Sequence, residues 1–128
     1  MSRFLSPEWL RELGAAAATS HSLRLATAGV FLTVGHHVTG GPQGDVDYRV
    51  RFAGGTIEVL PGFGEADVTV AQPYATALAV SRGDLAASEA FATGQLRLGG
   101  QPRLLAEHRE AFARLDDVFA VVRARTTY

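Results

Sequence analysis

The side chains that could perform chemistry in this sequence are a histidine pair, scattered acids and two serines. His36 and His37 are adjacent in a segment of alternating hydrophobicity, so they point to opposite faces of a strand and cannot readily share one metal ion. We interpret His36, which lies between Val34 and Val38, as a buried neutral imidazole with a backbone partner. The histidine pair therefore predicts no metal site.

The acidic and hydroxyl side chains also lack the settings that catalysis requires. Glu107 and the Asp116-Asp117 pair follow a spacing that suits a solvated helix face, whereas an acid–base pair needs a buried site. Ser81 and Ser88 lack the sharp strand-to-helix turn that exposes a nucleophile, and the glycines form no phosphate-binding loop. We predict no catalytic residue and no enzymatic activity.

Composition limits the classes of partner. A chain of 128 residues suits one domain, over 1–128. Its twelve basic residues are all arginine, are scattered among thirteen acids and leave a net charge of -1, so the clustered positive charge that nucleic acids require is missing. The absence of cysteine excludes disulfides and fits a reducing compartment. With no apolar run of about eighteen residues, we expect a cytoplasmic protein without stable membrane insertion.

Periodicity predicts the order of elements in the first half of the chain. The Ser-Pro-Glu run at 6–8 suits a helix start, because a hydroxyl can cap free N–H groups and proline and acids favour the first turn. We therefore expect a helix over 6–20. Apolar residues alternate over 30–70, with glycine-rich turns between the runs. Consecutive strands on short connections should form an antiparallel meander that is apolar on one side.

The second half of the chain supplies the cover for that apolar side. The pattern predicts two short helices over 73–92, a strand over 95–98 that a glycine pair ends, and a long closing helix over 102–125 with one apolar stripe. A sheet that is apolar on one side must be covered there. The sequence therefore predicts an α+β fold with a five-stranded, mainly antiparallel sheet and helices covering one face.

Two segments of this pattern resemble the sterol carrier protein type 2 family. They are ADVTV at 66–70 and FATGQLRLGG at 91–100, which are similar to the family's "aDvtl" strand and its later "aF..G.l.i.G" strand before a closing helix. The resemblance implies a cavity between sheet and helices that binds sterols, fatty acyl chains, acyl-CoAs or other lipids, with no cofactor and no catalytic residues. The matching positions, mostly framework, are Asp67, Val68, Val70, Phe91, Gly94, Leu96, Leu98 and Gly100.

A site for an apolar ligand needs aliphatic and aromatic walls, because removal of apolar surface from water drives binding by about 25 cal/mol per Å2. The candidate wall residues are Tyr74, Leu78, Phe91, Leu105, Phe112, Leu115 and Phe119. The same side chains could instead fill a solid core, but the family resemblance favours a cavity. Arg97 and Arg103 bracket the glycine pair, where they either meet an anionic head group or, as we favour, remain on the solvated surface.

Two functions of different class follow. The first is a small intracellular lipid-binding or transfer protein that buries a hydrophobic small molecule under the closing helix. The second is a ligand-free interaction module that forms a homodimer or docks on a partner, or an accessory factor for an enzyme that acts on a hydrophobic substrate.

Overall fold

The structure is a computed structural model that describes residues 2–42 and 44–128, without the side chains of Ala87, Ser88, Ala113 and Asp116. The interpretations of Ser88 and Asp116 lie outside these described side chains. The helices are α1 (Pro7–Thr19), α2 (His21–Ala26), α3 (Tyr74–Arg82), α4 (Ala87–Ala92), α5 (Arg103–Glu107) and α6 (Arg109–Arg123). The strands are β1 (Ser2–Arg3), β2 (Phe31–Gly41), β3 (Gly44–Ala53), β4 (Thr56–Pro61), β5 (Val68–Pro73), β6 (Arg97–Gly100) and β7 (Thr126–Thr127).

Five strands form one sheet in the order β4-β3-β2-β5-β6. Every neighbouring pair is antiparallel except β2 and β5, which run parallel. The helices cover one face, and the other face is open to solvent: Phe31, which points there, is 74% exposed, whereas Leu32 beside it is 4% exposed. The α+β prediction of a five-stranded, mainly antiparallel sheet with helices on one face is confirmed.

The predicted antiparallel meander over 30–70 is wrong for its last strand. Only β2, β3 and β4 form a meander, and β5 passes across to pair with β2 in parallel. Asp67 holds the start of β5 in this position, because its backbone N–H donates to the Thr33 carbonyl and its Oδ2 accepts from the Thr33 N–H, both at 2.8 Å. A connection that crosses to the far edge of a meander leaves no trace in the alternation of the sequence.

The glycine pair that was expected to end the fifth strand lies within it. The strand spans Arg97–Gly100 instead of 95–98. Gly100 has φ +72°, and a Cβ there would collide with the Asp67 carbonyl. That carbonyl accepts a hydrogen bond from the Gln101 N–H at 2.8 Å. Glycine is therefore required for a close approach between β5 and β6 and not for a turn.

The segment predicted as a helix over 6–20 contains one helix, α1, which a separate helix, α2, follows, and only the predicted closing helix is divided. Ser6 caps α1 by accepting from the Trp9 N–H at 3.1 Å, and Ser20 starts α2 in the same way with the Leu23 N–H at 3.3 Å. The closing helix predicted over 102–125 breaks at His108, whose φ of -114° and ψ of 36° separate α5 from α6. No glycine or proline marks that break, so the periodicity continues across it.

The two ends of the chain close one side of the core. Strands β1 and β7 pair in parallel, and buried Trp9 donates from Nε1 to the Thr126 Oγ1 at 3.1 Å. The Thr126 hydroxyl in turn donates to the Val122 carbonyl at 2.7 Å. Within the described ranges, no helix is both long enough and apolar enough to cross a membrane.

Candidate functional site

The covered face of the sheet is built from apolar residues in register. Val34 pairs with Val50 and Val68, and Val38 pairs with Val46. The further members of this face are Leu32, Phe52, Ile57, Val59, Val70 and Leu98. Because side chains alternate across a strand, the sheet arginines Arg49, Arg51 and Arg97 lie on the opposite face. Two strongly polar residues interrupt the apolar face, namely His36 on β2 and Gln72 on β5.

One half of this face is filled by a close-packed core. Helix α1 lies over it, with α2 packed against α1, and α1 approaches β4 so closely that a Cβ on Gly14 would touch the Val59 side chain at 3.5 Å. Leu13 and Leu23 are 0% exposed here, and Trp9 is 2% exposed. This half has the density of an ordinary protein interior.

The other half, near β5 and β6, is covered by α3, which contacts β2 and β5. Helix α6 packs against α1, α2 and α3, and α5 packs against α6. On β5 itself, Val68 and Val70 are buried. Apart from Ala16, Val46 and Val59, the apolar side chains that pack on the core but are only partly buried lie on α3, the loop after it, β6, α5 and α6. They are Tyr74, Leu78, Val80, Leu85, Leu98, Leu104, Leu105, Phe112 and Phe119, and we call this set the half-buried group. Such residues keep apolar surface available for a ligand.

The seven predicted wall residues are distributed unevenly. Tyr74, Leu78, Leu105, Phe112 and Phe119 belong to the half-buried group, and Phe112 also packs its ring edge-to-face on Phe52 at 5.6 Å between centroids. Leu115 is a core residue with 7% exposure. Phe91 is 53% exposed on α4 and points to solvent. Five of the seven thus lie at the boundary between core and solvent, but Tyr74 is beside Gly41 and Phe112 is beside Phe52, at opposite ends of the sheet.

An aromatic cluster that the sequence analysis missed flanks this region. Phe4 lies 5.1 Å from Trp9, 6.0 Å from Tyr74 and 5.4 Å from Tyr128, measured between ring centroids. The residues come from both ends of the chain and from α3. Nothing in local periodicity marks Phe4 or Tyr128, because only the pairing of β1 with β7 places them beside the site.

Burial favours the neutral form of His36, as the sequence predicted, but the described residues include no backbone partner for its Nδ1. Its ring stacks on Tyr48 with 4.6 Å between centroids and 7° between planes. Burial lowers the pKa of His36 to about 4 and raises the pKa of Tyr48. Among the described protein atoms, His36 Nδ1 is buried and has no hydrogen-bond partner, and the same holds for Gln72 Oε1.

The remaining candidates for chemistry lie on the surface. His37 points to the open face, where its Nδ1 is 2.6 Å from the Asp47 Oδ1, so the two histidines do lie on opposite faces. Arg103 is exposed and lies 3.8 Å from Glu107. Among the described residues, no three histidine, aspartate or glutamate side chains are grouped so that they could hold a metal ion. These residues offer no assembled reaction centre.

Among the described residues, two of the surface depressions lie at the N-terminal side of the sheet. The larger is an open groove of about 520 Å3 between α1 and the β3–β4 edge, lined by Leu10, Val46, Val59 and their neighbours. The smaller, about 30 Å3, lies between the N-terminal segment and Tyr74 and has room for about one water molecule. Leu5, which has φ +65°, lines both.

Comparison with known proteins assigns this architecture to a class. The model of the SCP-2 sterol transfer family matches residues 15–113, which is most of the chain. The chain therefore belongs to the SCP-2 sterol transfer family. The match spans the sheet, α3, α4 and α5, and with them most of the half-buried group.

Solved structures share the fold. A crystal structure of sterol carrier protein 2 has a TM-score of 0.77 and 22% identity, with 91% of this chain and 97% of that chain covered. A conserved hypothetical protein from Thermus thermophilus, described as a possible sterol carrier protein, has a TM-score of 0.77 and 22% identity, with 94% and 90% covered. The UbiJ-SCP2 ubiquinone synthesis protein has a TM-score of 0.57 and 20% identity, with 85% of each chain covered. No curated protein matches the sequence significantly.

Proposed function

We propose that the protein binds an apolar small molecule between the β5–β6 half of the sheet and helices α3, α5 and α6, and carries it in the cytoplasm. The half-buried group supports this proposal most directly. A ligand that covered these side chains would remove apolar surface from water, and each buried methylene contributes about 0.8 kcal/mol. Membership of a sterol transfer family supports the same class of ligand.

The contrast with the rest of the core supports this location. Leu13 and Leu23 are already fully buried, so a ligand gains nothing by contacting them. Leu78, Leu105 and Phe119 combine contact with the core and remaining exposure. A ligand there would cover the apolar surface of these side chains that α5 and α6 leave exposed.

The absence of an assembled reaction centre among the described residues favours a carrier over a catalyst. Binding and release of an apolar ligand need only surface burial and a movable cover, and neither step requires a nucleophile or an acid–base pair. Helix α5 has five residues and follows β6 directly, so it is the element best suited to move.

Native mass spectrometry of the purified protein, followed by organic extraction, tests the proposal. We expect a co-purified hydrophobic molecule, or uptake of a fluorescent fatty acid by the apoprotein and its delivery to acceptor vesicles. Clean apoprotein that takes up no fluorescent fatty acid or fluorescent fatty alcohol would contradict the proposal.

A second candidate is an accessory or interaction module. The structural similarity to the UbiJ-SCP2 ubiquinone synthesis protein favours it, as does the open sheet face, where Phe31 is 74% exposed. In this case we expect a concentration-independent dimer or a stable complex with an enzyme, which analytical ultracentrifugation distinguishes from a ligand-loaded monomer. Replacing Phe31 with Ser should then disrupt the assembly.

A further inference from the structure

The apolar face of the sheet contains two buried polar atoms that the fold leaves unsatisfied. His36 Nδ1 and Gln72 Oε1 have no hydrogen-bond partner among the described protein atoms. A buried polar group without a partner costs free energy, so native interiors normally pair such groups. Two of them on one face indicate a site that a bound molecule completes.

The register places these two residues on neighbouring strands, one pleat apart. Val70 on β5 is the neighbour of His36, and Gln72 is the neighbour of Val38, so Gln72 lies one pleat further along the same face. Strand spacing then separates the two Cα atoms by about 8 Å. A small polar group between the two side chains can contact both.

The surroundings of the pair are apolar and rigid. Tyr48 stacks on one side of the imidazole, and Val70 and Leu98 continue the face on the other side toward the half-buried group. Gln72 lies at the end of β5, directly before Pro73 and helix α3. The polar pair is thus located where an apolar molecule covered by α3 and α6 would place one of its ends.

The chemistry of the pair selects a neutral group. A neutral imidazole and a primary amide can each either donate or accept at the position they present, which matches a hydroxyl. An ionised carboxylate would need a cation in this apolar environment, because burial of an unpaired charge is costly. The arginines of the described sheet strands point to the opposite face and cannot provide that cation.

We propose that His36 and Gln72 form a hydrogen-bonding site for the hydroxyl of a neutral apolar alcohol or phenol, and that this site makes the protein prefer such ligands over fatty acid anions. The inference rests on the proposed function, since it assigns the polar end of the same buried ligand. The neutrality of His36 at ordinary pH is consistent with it, because burial holds the pKa of this histidine at about 4.

Three pyrene-labelled chains of equal length, ending in a hydroxyl, a carboxylate or a methyl group, test the inference in fluorescence titrations at pH 7. We expect the wild type to bind the alcohol roughly fivefold more tightly than either of the other two, the size of about one net hydrogen bond. Gln72→Leu and His36→Phe should each reduce that preference, and the double variant should abolish it. Gln101→Leu is the matched control, since Gln101 is exposed and the substitution is the same.

Each outcome decides one of the two proposals. If no chain binds the wild type, the proposed function fails and the hydroxyl site fails with it. If all three chains bind equally, or if the carboxylate binds best, the carrier function stands and the hydroxyl site is wrong. If the alcohol is preferred but Gln72→Leu and His36→Phe leave the preference unchanged, another group recognises the hydroxyl and the inference is also wrong.

Discussion

The two halves of the covered sheet face contain similar apolar side chains but differ in how completely these side chains are buried. Under α1 and α2, Leu13 and Leu23 are fully buried and every polar contact described, such as Trp9 to Thr126, is satisfied. On α3, α5, α6 and β6, apolar side chains stay half-buried, and on the neighbouring strands β2 and β5, His36 and Gln72 carry buried polar atoms without a partner among the described atoms. Under the proposed function, the first half supplies stability and the second provides the surface that the ligand covers.

Under the proposed function, this division lets one chain of 128 residues contain both a core and a ligand-binding surface. A domain of this size has one core, and a completely filled one would leave no apolar surface for binding. Concentrating the close packing on one side lets the other side remain incomplete without unfolding the protein. Substitutions in the filled half should therefore lower stability more than ligand affinity. Substitutions in the half-buried group should lower ligand affinity more than stability.

The largest expected effect on stability is in the filled half. Leu23→Ala should lower the free energy of unfolding by about 3 kcal/mol, because Leu23 is 0% exposed and its loss leaves a cavity. Leu25→Ala, at a 65% exposed position on the same helix, is the matched control and should change it by less than about 0.5 kcal/mol. Urea denaturation measures both values. Equal losses for the two variants would refute the close-packed half.

An acid-sensitive contribution of similar size comes from His36. Burial holds its pKa at about 4 in the folded protein, against the ordinary value of 6.5, so the unfolded chain binds a proton first as the pH falls. This contribution to stability is intact above pH 6.5 and decreases by roughly 3 kcal/mol as the pH falls to 4. His36→Phe retains the stacking on Tyr48 and should show a shallower loss between these pH values in denaturation series. If the stability of the wild type and of His36→Phe falls equally with pH, His36 is not a buried neutral histidine.

A charge in the half-buried group should affect binding more than folding. Phe112→Glu should lower the affinity for a fluorescent fatty alcohol at least about tenfold, since it places a carboxylate on the surface that the ligand covers. Val121→Glu adds the same charge on the same helix at a position that is 52% exposed, and it should bind normally. Thermal denaturation shows that each variant folds. Unchanged affinity in Phe112→Glu would mean that the ligand does not bind at the half-buried group.

The smallest expected effect is a gain in stability in a variant that lacks one of the proposed ligand contacts. Gln72→Leu removes a buried amide oxygen without a described partner, so the ligand-free protein should become more stable by about 1 kcal/mol. Denaturation of the delipidated proteins measures this difference, with Gln101→Leu as the exposed control. A decrease of similar size would mean that the amide serves the folded structure itself.

The sequence predicted the elements better than their assembly. Alternation and helix caps located the strands and helices, because these signals are local, as the capping by Ser6 shows. The parallel pairing of β5 with β2 depends on Asp67 and Thr33, which are far apart in the chain, and the break at His108 has no breaker residue. Such features depend on tertiary contacts that a single sequence does not display.

The candidate site divides in the same way. The apolar stripe of the closing helix pointed to Phe112 and Phe119, because periodicity reveals which residues face inward. Periodicity could not distinguish burial, as for Leu115 on α6, from exposure, as for Phe91 on α4. Gln72 was not predicted as a site residue, since a glutamine at the end of a strand has no distinctive sequence signal. Only the register with β2 shows that it lies beside His36.

The most direct test of the account is an NMR titration of isotopically labelled protein with a long-chain alcohol, with intermolecular contacts measured to assigned side chains. The account predicts contacts from the chain to Leu78, Leu105 and Phe119, with amide shifts concentrated in β5, α3 and α6. Contacts confined to Leu10 and Val59 would place the ligand in the groove between α1 and the β3–β4 edge. That result would contradict the central claim that the incompletely covered half of the sheet is the binding site.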